Sequence, residues 1–240
     1  MADRKTLRLS SALLAAGFVL YVVAGLLHTG GPANNHRVVF ADYAASGDWT
    51  AVHLGQFAGM AVIVAGLLVL HHALDIRAVG AAWTARLGAV CAAIALGLYG
   101  VLQAVDGVAL KQAVDAWVSA PAAEKVTRFA SAETVRWLEW GTRSYQSLVL
   151  GLALALLGSA VAVTTRLPRI LGGLMVLSGL AYLVQGWVLG TAGFSGTDTF
   201  AILGGYLLTL AWITWLAVLA WRTTGGHPAA AEEPVRAPGR

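Results

Sequence analysis

The sequence predicts an all-α fold, a polytopic bundle of six transmembrane helices, and three observations lead there. The 240 residues are 58% hydrophobic and only 12% charged, against roughly 25% charged in soluble domains. The apolar residues gather into six runs, each near the roughly 20 residues needed to cross a hydrocarbon core about 30 Å thick. Arg and Lys concentrate in alternate connections, following the positive-inside rule. The net charge of +4 is therefore a matter of topology and implies no nucleic-acid partner.

The first run, 9–28, follows the basic stretch Arg4-Lys5-Thr6-Leu7-Arg8. It is longer than a signal-peptide core and no small-residue cleavage site follows, so it reads as a retained first helix. The loop 29–48 is too polar to span. Within it, His36-Arg37-Val38-Val39-Phe40-Ala41-Asp42-Tyr43 places Val39, Phe40 and Tyr43 on one face behind Asn35 as a cap, so a short surface helix is expected. Asp48 or Thr50 caps the second run, 53–73, with Trp49 at the interface.

The third run, 87–106, meets no breaker before Trp117. A helix over 82–118 would be roughly 55 Å long, well beyond the hydrocarbon. Pro121 turns the chain, and 122–142 leads helically into the fourth run, 144–164. An extended outer helical hairpin between the third and fourth helices is therefore expected. The fifth and sixth runs, 170–189 and 200–221, complete an integral membrane domain over 1–222, with both termini cytoplasmic. The segment 223–240, rich in Ala, Pro, Gly and charge, reads as a disordered cytoplasmic tail. The single cysteine, Cys91, excludes disulfides and thiolate metal clusters. Heavy use of Ala, Gly, Val and Arg with few lysines fits a GC-rich bacterial genome, so the expected location is a bacterial cytoplasmic membrane, with membrane lipids as partners.

Charged residues at a membrane boundary are costly unless they are paired or face a wet cavity. On the third helix Tyr99, Gln103 and Asp106 are spaced i, i+4, i+7 and share a face. On the fourth, Arg136, Glu139, Trp140 and Arg143 share a face that continues to Gln146 and Ser147, and Glu139 and Arg143 suit an i, i+4 ion pair. On the fifth, Ser178, Tyr182 and Gln185 form one stripe. Their common depth predicts an outward-facing polar and aromatic pocket between the second, third, fourth and fifth helices. It would bind or transport a small amphiphilic or lipid-like molecule through Gln103, Trp137, Trp140, Arg143, Tyr182 and Gln185.

An enzyme is the alternative. An apolar pocket can keep a carboxylic acid protonated for general acid–base work, and Asp106 or Glu139 would then be catalytic on an isoprenoid-like or lipid substrate. Ser144 or Ser147 near His53 and Asp106 could form a nucleophile relay, although no nucleophile-elbow motif is present. A third reading is a haem or metal protein: His28 and His53 end and begin neighbouring spans and could ligate a haem iron, or zinc together with His36 and Asp48. His71 and His72 lie at the opposite end and cannot join that site. The bland reading stays open throughout, since boundary charges also snorkel to water or simply fix helix packing.

The six-span pattern, with Arg166-Leu167-Pro168-Arg169 leading into a Gly-rich fifth helix and His53-Leu54-Gly55-Gln56-Phe57-Ala58-Gly59-Met60 opening the second, resembles a family of uncharacterised bacterial six-helix membrane proteins. The resemblance covers most of the membrane domain. It implies the architecture and brings no activity, cofactor or site residue.

Overall fold

A computed structural model describes residues 4–222, apart from residues 33, 75, 77, 165 and 166. The expected tail at 223–240 lies outside the described residues. The described residues form helices joined by short connections, with no strand among them: α1 Arg4–Leu26, α2 His36–Ala45, α3 Trp49–Ala73, α4 Val79–Ser119, α5 Lys125–Val163, α6 Arg169–Ala192 and α7 Gly196–Trp221. All but α2 are long and apolar enough to cross a membrane. Their outward faces carry exposed rows such as Val19, Leu87, Ile94, Val101 and Leu207. An apolar surface of that extent marks a membrane or interaction face, which fits a multi-pass membrane protein.

Local chemistry sets the ends. The Asn35 side chain accepts from the Val38 N–H at the start of α2, and Ser195 does the same for Asp198 at the start of α7. Pro168 precedes α6, where its missing N–H costs nothing. Gly193 ends α6 at φ 64°, a left-handed conformation that glycine adopts without penalty. A side chain there would also collide with Trp140, 2.6 Å from the position of its Cβ.

The six long helices close into a ring in chain order. α1 packs on α3, α3 on α4, α4 on α5, α5 on α6, α6 on α7, and α7 returns to α1. At the closure Arg8 Nε donates to the Ala220 carbonyl (3.1 Å) and Trp221 Nε1 to Ser11 Oγ (3.3 Å). The start of α1 and the end of α7 therefore share one end of the bundle.

Small residues make the tightest seams. Ser144, Gly151 and Gly158 on α5 meet Gly186, Gly179 and Gly172 on α6. A Cβ at Gly151 would fall 2.6 Å from the Gly179 carbonyl oxygen, and one at Gly158 would fall 2.7 Å from that of Gly172. Lipid offers no hydrophobic drive for helix association, so close backbone approach and dispersion must hold such pairs. The seven-residue recurrence on both helices keeps one seam in contact over several turns. Gly17 against Gly59 and Ile63, and Gly66 against Leu14, play the same part between α1 and α3.

At 41 and 39 residues, α4 and α5 each reach roughly 60 Å and continue past their neighbours. There α2 lies against them, burying Val39, Phe40 and Tyr43 with Trp49, Leu110, Val114 and Ala132 in a second core. One feature departs from the predicted continuous helix: Val105–Leu110 of α4 is a π-helical turn. It carries Asp106.

Candidate functional site

The ring encloses a polar cavity of about 260 Å³ at the end of the bundle away from the chain termini. Tyr21 of α1, Gln56 of α3, Asp106 of α4, Arg136, Glu139 and Arg143 of α5, and Tyr206 of α7 line it. His28, Tyr43 and Phe194 close its rim. The first and sixth spans therefore contribute, although the polar stripes pointed to the second through fifth.

Asp106 owes its place to the π turn, an irregularity that recurs at functional sites. The turn frees backbone carbonyls, and α3 takes them up: Trp49 Nε1 donates to the Asp106 carbonyl (2.9 Å) and Thr50 Oγ1 to that of Gly107 (3.4 Å). Gly107 permits the approach, because a Cβ there would lie 2.7 Å from His53 Cβ. The wide turn also breaks the i, i+4, i+7 face that sequence spacing implies. Gln103 consequently faces a separate groove of about 280 Å³ with Leu54, Phe57 and Val108, while Asp106 faces the polar cavity.

His53 is 2% exposed. Its Nδ1–H donates to the Trp49 carbonyl (2.7 Å), which leaves Nε2 directed at Asp106 Oδ2, 3.0 Å away. That contact lacks the alignment of a hydrogen bond, and among the described residues Nε2 and Asp106 Oδ1 have no hydrogen-bond partner. His28 stacks beside them, its ring centroid 5.0 Å from that of His53 and 4.8 Å from that of Trp49. Burial lowers the His28 pKa to about 4, so its imidazole is neutral at ordinary pH. One ligand atom from each of His28, His53 and Asp106 lies within 4.8 Å of the other two. The two imidazoles stand edge to face, 62° apart in plane, with the Asp106 carboxylate as the third donor. Three donor atoms this close together fit a compact metal ion.

The expected Glu139–Arg143 ion pair is replaced by another. Glu139, 2% exposed, pairs with Arg136 one turn earlier, and the Arg136 guanidinium also lies over the rings of Tyr43 (5.5 Å) and Phe194 (4.6 Å). Cation–π contact on two sides holds Arg136 toward the carboxylate. Arg143 instead turns into the cavity, where among the described residues it has no ion pair and its Nε has no hydrogen-bond partner. Burial pushes the Tyr43 phenol up from its ordinary value, so Tyr43 enters the rim as a neutral donor.

The other candidates disperse. Trp137 is 55% exposed on the bundle surface, outside the cavity lining. Trp140 packs on His36 and Phe194 and stands behind the rim. Tyr182 lines a small apolar void with Phe18, Tyr21 and Trp212, and Gln185 is buried on α6 with an unpartnered Oε1. His36 is taken by Glu133 (3.0 Å) and Asp48 by Ser46 (2.8 Å), so neither joins a zinc site with His28 and His53. The Ser144 hydroxyl donates to the Gly186 carbonyl (2.7 Å), which commits it to helix packing instead of a nucleophile relay. Conversely, Tyr21 and Gln56 escaped sequence reasoning, and Tyr206, which shares a stripe of the sixth span with Thr209 and Trp212, was expected to lie deeper than the pocket it lines. Each is a polar group inside an apolar run, and that was the available signal.

Comparison with family models, with curated proteins and with solved structures finds no match to the chain.

Proposed function

We propose that this membrane protein binds a small amphiphilic, lipid-like molecule from the outer side of a bacterial cytoplasmic membrane and holds its anionic head group on Arg143. The observation that carries the reading is the charge arrangement in the cavity. Glu139 neutralises Arg136, whereas Arg143 faces the same space with no carboxylate at ion-pairing distance among the described residues. A buried cation is costly until an anion meets it. The ligand supplies that anion.

A cavity of about 260 Å³ lies just under the usual range for ligand sites, so the head group is compact. Tyr21 borders both this cavity and the apolar void that holds Phe18, Tyr182 and Trp212. That void, at about 20 Å³, has room for no more than a methyl group of the ligand. The distribution of Arg and Lys supports the orientation, with Arg4, Lys5, Arg8, Arg86, Arg169 and Arg222 all at the end opposite the cavity. In this orientation both termini are cytoplasmic, and the far ends of α4 and α5 extend beyond the outer surface as a hairpin with α2 against it.

Native mass spectrometry of the full chain, extracted in mild detergent, tests the reading. A bound anionic amphiphile should be retained by the wild type. Losing one charge-assisted contact, worth about 1.5–3 kcal/mol, should reduce its occupancy in Arg143→Gln roughly 10- to 100-fold. An adduct unchanged in Arg143→Gln would sink the proposal.

The 3.0 Å contact of buried His53 with the cavity-lining Asp106 favours one second reading, acid–base catalysis on an isoprenoid-like or lipid substrate. Turnover that survives both Asp106→Asn and Glu139→Gln would remove it.

A further inference from the structure

We propose that His28, His53 and Asp106 form a three-ligand site for a divalent first-row transition-metal ion, with a further coordination position open to the polar cavity. The ligands come from three separate parts of the chain: the segment after α1, the first turns of α3, and the π turn of α4. Their donor atoms nonetheless lie within 4.8 Å of one another.

The His53–Asp106 contact is the strongest argument. With Nδ1–H committed to the Trp49 carbonyl, His53 turns Nε2 to a carboxylate oxygen at 3.0 Å, a spacing that calls for a proton or a metal ion between them. Two electron-pair donors in that position repel unless a cation lies between or beside them. A proton would satisfy two donors; the third, His28, gives the group the count a metal ion needs. The anchoring of Nδ1 on a backbone carbonyl is the outer-shell contact that fixes tautomer and ring orientation in metal-binding histidines.

The donor set and geometry then choose the ion. Two imidazoles and one carboxylate suit zinc or ferrous iron and leave positions free, whereas magnesium and calcium prefer oxygen ligands alone. Tetrahedral zinc places its ligands about 3.3 Å apart. The His53–Asp106 pair is already near that spacing, and His28, beyond the last turn of α1, closes the remainder by side-chain rotation. The site is also electrically economical. A buried carboxylate gains a counter-charge, and the open position faces the same space as Arg143, so metal and guanidinium would grip one anionic group from two sides. The inference shares its cavity with the preceding reading but does not use Arg143 as a ligand, so either can fail alone.

The test is titration of the metal-stripped full-length protein in detergent with Co(II), followed by its visible ligand-field bands and by displacement with Zn(II). One equivalent per chain should bind, with the intense absorption of a low-coordinate site. His28→Asn and Asp106→Asn should each weaken binding at least about 100-fold, while His36→Asn leaves it unchanged. Because Asp106→Asn disturbs a buried contact, X-ray absorption on the wild-type Co(II) protein supplies an independent count, expected to be two imidazoles and a carboxylate. Absence of stoichiometric Co(II) binding, or full binding in His28→Asn, would overturn the site. Arg143→Gln with intact Co(II) binding but no amphiphile adduct would separate the two proposals.

Discussion

Gly179 and Gly173 lie on the same helix, α6, and offer a controlled measure of what holds the bundle together. A Cβ at Gly179 would fall 2.5 Å from the Gly151 carbonyl oxygen and 2.7 Å from the Ala155 backbone nitrogen. A Cβ at Gly173 meets nothing within 4 Å. Replacing either by alanine adds the same methyl group and gains the same helix preference, about 1 kcal/mol. That gain cancels in the comparison, and the difference reports the steric cost alone. Both near neighbours of Gly179 are backbone atoms, which cannot rotate aside, so α5 and α6 must separate locally. Overpacking of this kind costs about 1–3 kcal/mol. Gly173→Ala should therefore match or exceed the wild type in stability, and Gly179→Ala should lie about 1–3 kcal/mol below Gly173→Ala. Reversible unfolding in mixed micelles by SDS titration measures both on one scale. Equal stability of the two variants would refute the argument that close glycine contact holds this seam.

Three further outcomes follow from the site. Arg136→Met leaves Glu139 buried without its counter-ion and should destabilise by about 3–5 kcal/mol, whereas Arg136→Met combined with Glu139→Met should recover most of that loss; the same unfolding assay reads both. Trp49→Phe deletes the donor to the Asp106 carbonyl at 2.9 Å and should cost about 1–3 kcal/mol through the orphaned buried acceptor, with weaker Co(II) binding because the π turn is less firmly held. Gly107→Ala drives a methyl to 2.7 Å from His53 Cβ, and Co(II) binding should fall at least 10-fold while the protein remains monodisperse on size exclusion.

Hydropathy and charge placement were sufficient for the six spans and the short amphipathic α2. They also grouped Asp106, Glu139, Arg143, His28 and His53 at one depth, because position along an antiparallel helix converts directly into height in the bundle. Rotation about each helix axis was less legible. The i, i+4 rule favoured Glu139 with Arg143, yet Arg136 holds the carboxylate because Tyr43 and Phe194, distant in sequence, receive its guanidinium. The polar face of α4 divides at the π turn, and a hydropathy profile carries no sign of that extra residue. The seam of Ser144, Gly151 and Gly158 against Gly172, Gly179 and Gly186 was present as a seven-residue spacing of small residues, and only its partner helix was hidden.

By itself, then, the sequence determined the solvent this protein is built for, the number and length of its spans, and the end at which its polar residues gather. These are sums over neighbouring side chains, and local order suffices for them. Tertiary structure alone decided that the helices close into a ring, that Arg143 is left facing a cavity, and that His28 and His53 meet Asp106 and not His36 or Asp48. Those outcomes depend on backbone approach at glycines and on one wide turn in α4. They are settled by packing between segments that the chain order keeps far apart.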